Sequence, residues 1–117
     1  MENPRTGNIL KDVEPHLPEE QFSTLVSSPG VRIERIVSTG NTTPEGEWYD
    51  QASDEWVMVV QGAARLAFED GRELEMEPGD HVLLPAHCRH RVEWTSDGEQ
   101  TVWLAVHFDP DDEEKRK

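Results

Sequence analysis

Short apolar segments separated by turn signals dominate the chain from residue 31 onward. Asp70-Gly71, Pro78-Gly79-Asp80 and Ser96-Asp97-Gly98 are such signals, and Asp-Gly between two apolar runs is typical of a β-hairpin. No long helical pattern lies between the segments, so their order predicts an antiparallel β-sandwich or barrel. The seven predicted strands are Val31–Ser38, Trp56–Gln61, Ala63–Glu69, Arg72–Met76, His81–Leu84, His90–Trp94 and Thr101–Phe108.

The length of 117 residues fits a single domain. We assign residues 31–108 to the barrel and residues 1–30 to an N-terminal segment. Residues 109–117 form a charged C-terminal tail.

One short helix is predicted in the N-terminal segment, near Pro18–Val26. Proline suits the first turn of a helix, and the acidic residues that follow it suit the positive end of the helix dipole. Phe22, Leu25 and Val26 are spaced three and four residues apart, as on one helical face. The sequence Ser27-Ser28-Pro29-Gly30 would end this helix.

The charge of the chain limits its partners. Asp and Glu number 25 against 11 Lys and Arg, which gives a formal charge of −14. Such a field repels nucleic acids and anionic membranes, so we expect a small-molecule partner instead. Cys88 is the single cysteine, and no apolar run resembles a membrane span or a signal peptide, so a cytoplasmic location is expected.

Two titratable residues open apolar strands. Glu55 shares one strand face with Val57 and Val59, and His90 shares one with Val92. If both faces point into one barrel, a carboxylate and an imidazole meet in a mostly apolar cavity, which is the usual form of a ligand site.

The segments around these two residues resemble the paired motifs of the cupin superfamily. Glu55 and Gly62 match the Glu-x6-Gly end of the first motif, and Gly79, Pro85 and His90 match the spacing of the second. The resemblance covers the seven predicted strands. It implies a double-stranded β-helix, or jelly-roll barrel, with a site inside it.

The chain departs from the family pattern at the paired histidines of the first motif. Depending on the spacing used, those positions fall on Tyr49 and Gln51 or on Trp48 and Asp50. His87 stands where the second motif has a glycine, and histidine is among the residues that tolerate a positive φ.

Similar proteins hold a divalent metal with three histidines and one glutamate. The resemblance therefore implies that Glu55 and His90 are metal ligands, with Gln51 as a weak third oxygen ligand. The implied cofactor is one divalent ion, of Fe, Mn, Zn or Ni. Alternatives for the third ligand are Asp50, His87 and His107.

Four further residues are predicted to line the pocket, namely Tyr49, His87, Trp94 and His107. Tyr49 and Trp94 flank the motif positions, and Trp94 shares the strand parity of His90. His87 could instead be an exposed loop residue, and His107 a core histidine with satisfied hydrogen bonds. Glu55 and His90 could likewise be a purely structural pair.

Two classes of function remain open at this stage. One is a metal-dependent enzyme, such as a dioxygenase, an isomerase or a lyase. The other is a binding or sensing module without chemistry, with or without a metal. The missing histidine pair favours this second class or an atypical site. A homodimer is also expected, because Trp56, Met58 and Val60 face away from Glu55 and form an outward apolar stripe.

Overall fold

The computed structural model describes residues 3–13 and 18–110 of the chain. These residues form eight strands and no helix, so the all-β prediction is confirmed. None of them forms a helix that could cross a membrane, and the predicted tail lies outside them from residue 111 on. The strands are β1 (Gln21–Ser28), β2 (Val31–Ser38), β3 (Asp54–Gln61), β4 (Ala64–Phe68), β5 (Glu73–Met76), β6 (His81–Leu84), β7 (His90–Thr95) and β8 (Thr101–Phe108).

The strands build two antiparallel sheets. One has five strands in the order β1-β2-β8-β3-β6, and the other has three in the order β5-β4-β7. The buried apolar cluster draws Val57, Val59 and Trp103 from the first sheet and Leu66 and Met76 from the second. The core therefore lies between the sheets, as in a jelly-roll barrel.

The predicted helix near Pro18–Val26 is wrong. Residues 21–28 form β1 instead, which pairs with β2 through a hairpin whose turn is Pro29-Gly30, with Gly30 at φ 79°. Pairing of β1 with β2 gives hydrogen-bond partners to the backbone N–H and C=O groups of both strands. A two-turn helix would bond only within itself and would leave this edge of β2 unpaired. The register shifts between Thr24 and Val26, so Leu25 is an inserted residue in β1. Phe22, Leu25 and Val26 are all exposed and do not form the buried face that their helical spacing predicts.

The outward face of β3 carries the apolar stripe described above. Trp56, Met58 and Val60 are each partly exposed. The homodimer that this stripe suggests stays a prediction.

Candidate functional site

A cavity of about 180 Å³ lies between the two sheets. Its wall combines an apolar lining with an unusual number of titratable groups. The apolar lining residues are Phe22, Ile36, Val57, Leu66, Leu84, Val92 and Trp103, and the polar ones are Glu20, Arg32, Glu34, Tyr49, Gln51, Glu55, His90 and His107.

Strand register explains why several of these side chains converge. Glu55 on β3 pairs directly with His107 on β8, and on its other side with Leu84 on β6. Glu34 pairs with Ala105, two residues along β8 from His107, on the same face. His90 approaches from the opposite sheet at the start of β7.

Glu55 is at the centre of this group. One carboxylate oxygen, Oε1, lies 3.8 Å from His90 Nε2, and the other, Oε2, lies 3.8 Å from His107 Nε2. The residue is 6% exposed, and no hydrogen bond to its carboxylate is present among the described residues. Burial, together with the nearby Glu34 carboxylate, raises the pKa of Glu55 to about 7, although Arg32 opposes the shift.

The hydrogen bonds of His90 define its tautomer. Its Nδ1 lies 2.8 Å from the carbonyl oxygen of Cys88. A carbonyl can only accept, so Nδ1 carries the proton and Nε2 presents a lone pair toward Glu55. Burial lowers the pKa of His90, which favours this neutral form.

Tyr49 holds the His90 ring from one side. The two rings stack with their centroids 5.5 Å apart, and the backbones of the two residues form an antiparallel bridge. The Tyr49 hydroxyl donates to Glu20 Oε1 at 3.4 Å. Burial and the charge of Glu20 raise the pKa of Tyr49 to about 12, so it stays protonated.

His107 is held by a second carboxylate. Its Nε2 lies 2.9 Å from Glu34 Oε1, and the other Glu34 oxygen lies 3.2 Å from Arg32 Nε. In the neutral ring that burial favours by lowering the His107 pKa, Nε2 donates to Glu34. His107 Nδ1 is then a buried acceptor with no partner among the described residues. A core histidine with satisfied hydrogen bonds was the alternative for His107, and only one of its two ring nitrogens has such a bond.

Sequence reasoning missed the two carboxylates that complete the wall. Glu20 Oε2 accepts a 2.6 Å hydrogen bond from Ser38, and burial raises the Glu20 pKa. The sequence does not predict Glu20 as a site residue, because the helix expected near Pro18–Val26 gives its segment no place in the barrel wall. Glu34 shares its strand face with Ile36, so the alternation of β2 carried a signal that could have identified it.

The structure brings together five of the seven predicted site residues. Tyr49, Gln51, Glu55, His90 and His107 all line the cavity.

His87 and Trp94 lie outside this cavity. The His87 side chain is 70% exposed and its Nδ1 lies 2.8 Å from Asp50 Oδ1, at a backbone φ of 64°. His87 therefore has the positive φ that is expected where the second motif has a glycine, and its side chain faces solvent. Histidine at this position has a backbone role rather than a place in the pocket.

Trp94 is displaced by a β-bulge. In the pairing of β7 with β4, Leu66 is opposite Val92 and its neighbour Arg65 is opposite Trp94. Glu93 is therefore an extra residue that reverses the parity of the strand after Val92. As a result Trp94 turns outward and is 39% exposed.

The donor atoms in the cavity do not match the metal set of similar proteins. Glu55 and His90 Nε2 are two strong donors, and Gln51 adds a weak amide. His107 Nε2 already faces Glu34. Across residues 3–13 and 18–110, no group of three or more His, Cys, Asp or Glu side chains is arranged to hold a metal ion. A catalytic metal usually has three protein ligands, so the described residues do not fit one.

Comparisons with known proteins agree on the architecture. The profile of the cupin domain family matches residues 36–107. A crystal structure from Ralstonia eutropha JMP134, provisionally named a mannose-6-phosphate isomerase, is 51% identical, with 91% of this chain and 99% of that chain covered and a TM-score of 0.88.

More distant structures share the fold alone. A cupin superfamily protein from Desulfitobacterium hafniense DCB-2 is 17% identical over 92% of this chain and 94% of its own, with a TM-score of 0.72. An RmlC-like cupin from Desulfovibrio desulfuricans is 13% identical over 90% and 97%, with a TM-score of 0.70. A search of curated proteins gives no match.

Proposed function

Since the chain belongs to the cupin family, whose fold hosts many activities, we propose that it binds a small polar molecule in the cavity and transfers a proton on it. Glu55 and His90 are the acid–base pair. The transfer needs no metal in this proposal, because the donor set offers only two strong ligands.

The position of the Glu55 carboxylate carries this proposal. Two atoms 3.8 Å apart, such as Glu55 Oε1 and His90 Nε2, can both lie within hydrogen-bond distance of one ligand atom. Neither atom is engaged by another protein group among the described residues. A ligand entering the cavity therefore meets two proton-exchanging groups at one point, which is the geometry that general acid–base catalysis requires.

The protonation states of the pair suit proton transfer near neutrality. His90 Nε2 has a lone pair and can remove a proton from the ligand. Glu55, whose pKa is raised to about 7, holds a proton in a large fraction of molecules and can return one. A pair of neighbouring groups tuned in this way is typical of enzymes that use one acid and one base.

Isomerisation is the reaction class that uses such a pair most directly. Interconverting an aldose and a ketose removes a proton from one carbon, delivers one to its neighbour and moves one between their oxygens. The provisional name of the Ralstonia eutropha structure supports this class. Tyr49, which stacks on His90, is then a positioning residue for the base.

The test is deuterium exchange from solvent into candidate sugars, followed by NMR. Mannose, fructose and their 6-phosphates serve as probes. We expect wild-type protein to exchange the C2 hydrogen of an aldose that it binds, and Glu55→Gln or His90→Gln to slow this exchange by about 100-fold or more, the contribution typical of a general acid or base. His81→Gln, an exposed residue on β6, is the matched control and keeps the wild-type rate.

Two results would replace this proposal. If the protein binds a probe but catalyses hydrogen exchange in none of the four, the proton transfer is wrong. The alternative, a binding or sensing module, would then be favoured. The divalent metal on Gln51, Glu55 and His90 stays a prediction, and elemental analysis of untagged protein tests it. One metal ion per chain that Glu55→Ala removes, with exchange lost on chelation and restored by the metal, would overturn the metal-free mechanism.

A further inference from the structure

The charge of the cavity wall is strongly unbalanced. Glu20, Glu34 and Glu55 all line it, whereas Arg32 is the one cationic Lys or Arg side chain among the lining residues. Arg32 lies 3.2 Å from Glu34, so its charge is largely compensated before any ligand enters. The interior therefore has a negative potential, and the low-polarity wall of apolar side chains strengthens it.

The hydrogen-bond inventory of the wall is equally one-sided. Glu20 accepts bonds from Ser38 and Tyr49, and Glu34 accepts one from His107. Glu55, which is 6% exposed, accepts none from the described residues. His90 Nε2 presents a lone pair because its Nδ1 donates to the Cys88 carbonyl. Around Glu55 and His90 the cavity thus offers more acceptors than donors, the donors being the Gln51 amide, Arg32 and the fraction of Glu55 that is protonated.

An incoming ligand has to supply what the wall lacks. Hydroxyl and protonated amino groups donate hydrogen bonds, and a protonated amine also offsets the negative charge. A phosphate or carboxylate offers acceptors and brings further negative charge next to buried carboxylates, which is unfavourable on both counts.

We propose that the ligand of this cavity is a hydrogen-bond-donating molecule without an anionic group, such as an unphosphorylated sugar or amino sugar, and that phosphorylated sugars are excluded. This inference rests on the cavity of the proposed function but not on its proton transfer. It differs from what the name of the Ralstonia eutropha structure suggests.

Calorimetric titration of the full chain with mannose, mannosamine and mannose 6-phosphate tests the inference. We expect mannose and mannosamine to bind at least about tenfold more tightly than mannose 6-phosphate, which corresponds to one charge repulsion that is only partly screened. Tighter binding of mannose 6-phosphate than of mannose overturns the inference. If Arg32→Gln then removes that gain, the phosphate lies at Arg32.

A pair of charge variants separates the local effect from the overall charge of −14. Glu55→Gln should reduce the discrimination against the phosphate at least threefold. Glu75→Gln makes the same change in net charge at a side chain that is 80% exposed on β5, and should leave the discrimination unchanged. Equal effects of the two variants would show that the discrimination is not set in the cavity, which contradicts the inference.

Failure of this inference can be told apart from failure of the proposed function. Deuterium exchange into a tightly bound mannose 6-phosphate would keep the proton transfer and overturn the ligand class. Binding of mannose without exchange would keep the ligand class and overturn the proton transfer.

Discussion

The two halves of the barrel interior differ in how closely they are packed. Around Glu55 the interior is hollow. The Glu55 carboxylate comes no closer than 3.8 Å to the His90 and His107 rings, and His107 Nδ1 has no hydrogen-bond partner among the described residues. At the other end of β3 the interior is closed: Val59 is fully buried, and the buried Thr95 and Thr101 hydroxyls donate to the carbonyls of Asn41 and Ala63. Stability is therefore concentrated in the closed half, and the hollow half gives up stability for a site.

The closed half should be the more sensitive to an added atom, and Gly62 is its tightest point. Its φ is 86°, and a Cβ there would lie 2.7 Å from the Thr101 Cα and 2.9 Å from the Gln100 carbonyl oxygen. Gly62→Ala adds backbone strain and a clash with the main chain, so we expect a loss of about 4 kcal/mol in unfolding free energy. Denaturant titration followed by fluorescence measures this loss.

Gly71 is the matched control for that substitution. It has a similar φ of 93°, but a Cβ there would meet nothing within 4 Å. Gly71→Ala should therefore cost only the backbone strain, about 1–2 kcal/mol. If the two alanine variants lose equal stability, the closed half is not tightly packed at Gly62.

The hollow half should become more stable when its central charge is removed. The pKa of Glu55 is raised from 4.5 to about 7, so between these pH values the unfolded chain releases a proton that the folded chain retains. The unfolding free energy contributed by Glu55 therefore falls as pH rises from about 4.5 to about 7, by about 3 kcal/mol in all.

Glu55→Gln removes this dependence. We expect the variant to exceed wild type in unfolding free energy by about 3 kcal/mol at pH 8, with the difference disappearing toward pH 4.5. Burial lowers the pKa of His90 and of His107, so both proteins lose stability from these groups as pH falls below about 6.5. Comparing the two proteins at each pH cancels that common loss. A variant less stable than wild type at pH 8 would show that the Glu55 carboxylate is well paired.

Two valines on the same face of β3 compare the halves directly. Val59 is fully buried in the closed half, whereas Val57 lines the cavity. Val59→Ala should cost about 2 kcal/mol because it opens a new void, and Val57→Ala about 1 kcal/mol because it enlarges a space already present. Thermal and denaturant unfolding of both variants would measure the difference, and a larger loss for Val57→Ala would contradict the assignment of the two halves.

The sequence was sufficient for the parts of the site that depend on motif spacing. Glu55 and His90 were predicted to meet, because turn signals and two-residue periodicity define strands and their inward faces. The cavity walls at Glu20 and β1 were not predictable in the same way. The spacing of Phe22, Leu25 and Val26 favours a helix, and no local signal marks the bulge that inserts Leu25 into β1.

The bulge at Glu93 had the same effect on Trp94, whose parity with His90 predicted an inward ring. A bulge is stabilised by pairing with another strand, here β4, so its position depends on contacts distant in sequence. Glu34 is the opposite case, since the alternation of β2 already placed it on the face of Ile36. The wrong predictions for β1 and Trp94 thus lie at bulges, whereas Glu34 lies on a regular strand outside the two motifs.

The smallest expected effect concerns the outward ring of Trp94. Because the Glu93 bulge turns this side chain away from the cavity, Trp94→Ala should change the affinity for mannose less than about twofold, well within one tenfold step of 1.4 kcal/mol. Tyr49→Ala is the contrasting variant, since Tyr49 stacks on His90 and lines the cavity. It should weaken binding by about tenfold, the scale of one aromatic contact. Loss of affinity in Trp94→Ala with none in Tyr49→Ala would mean that β7 continues without the bulge. Trp94 would then face the ligand, and the hollow half would have a different wall.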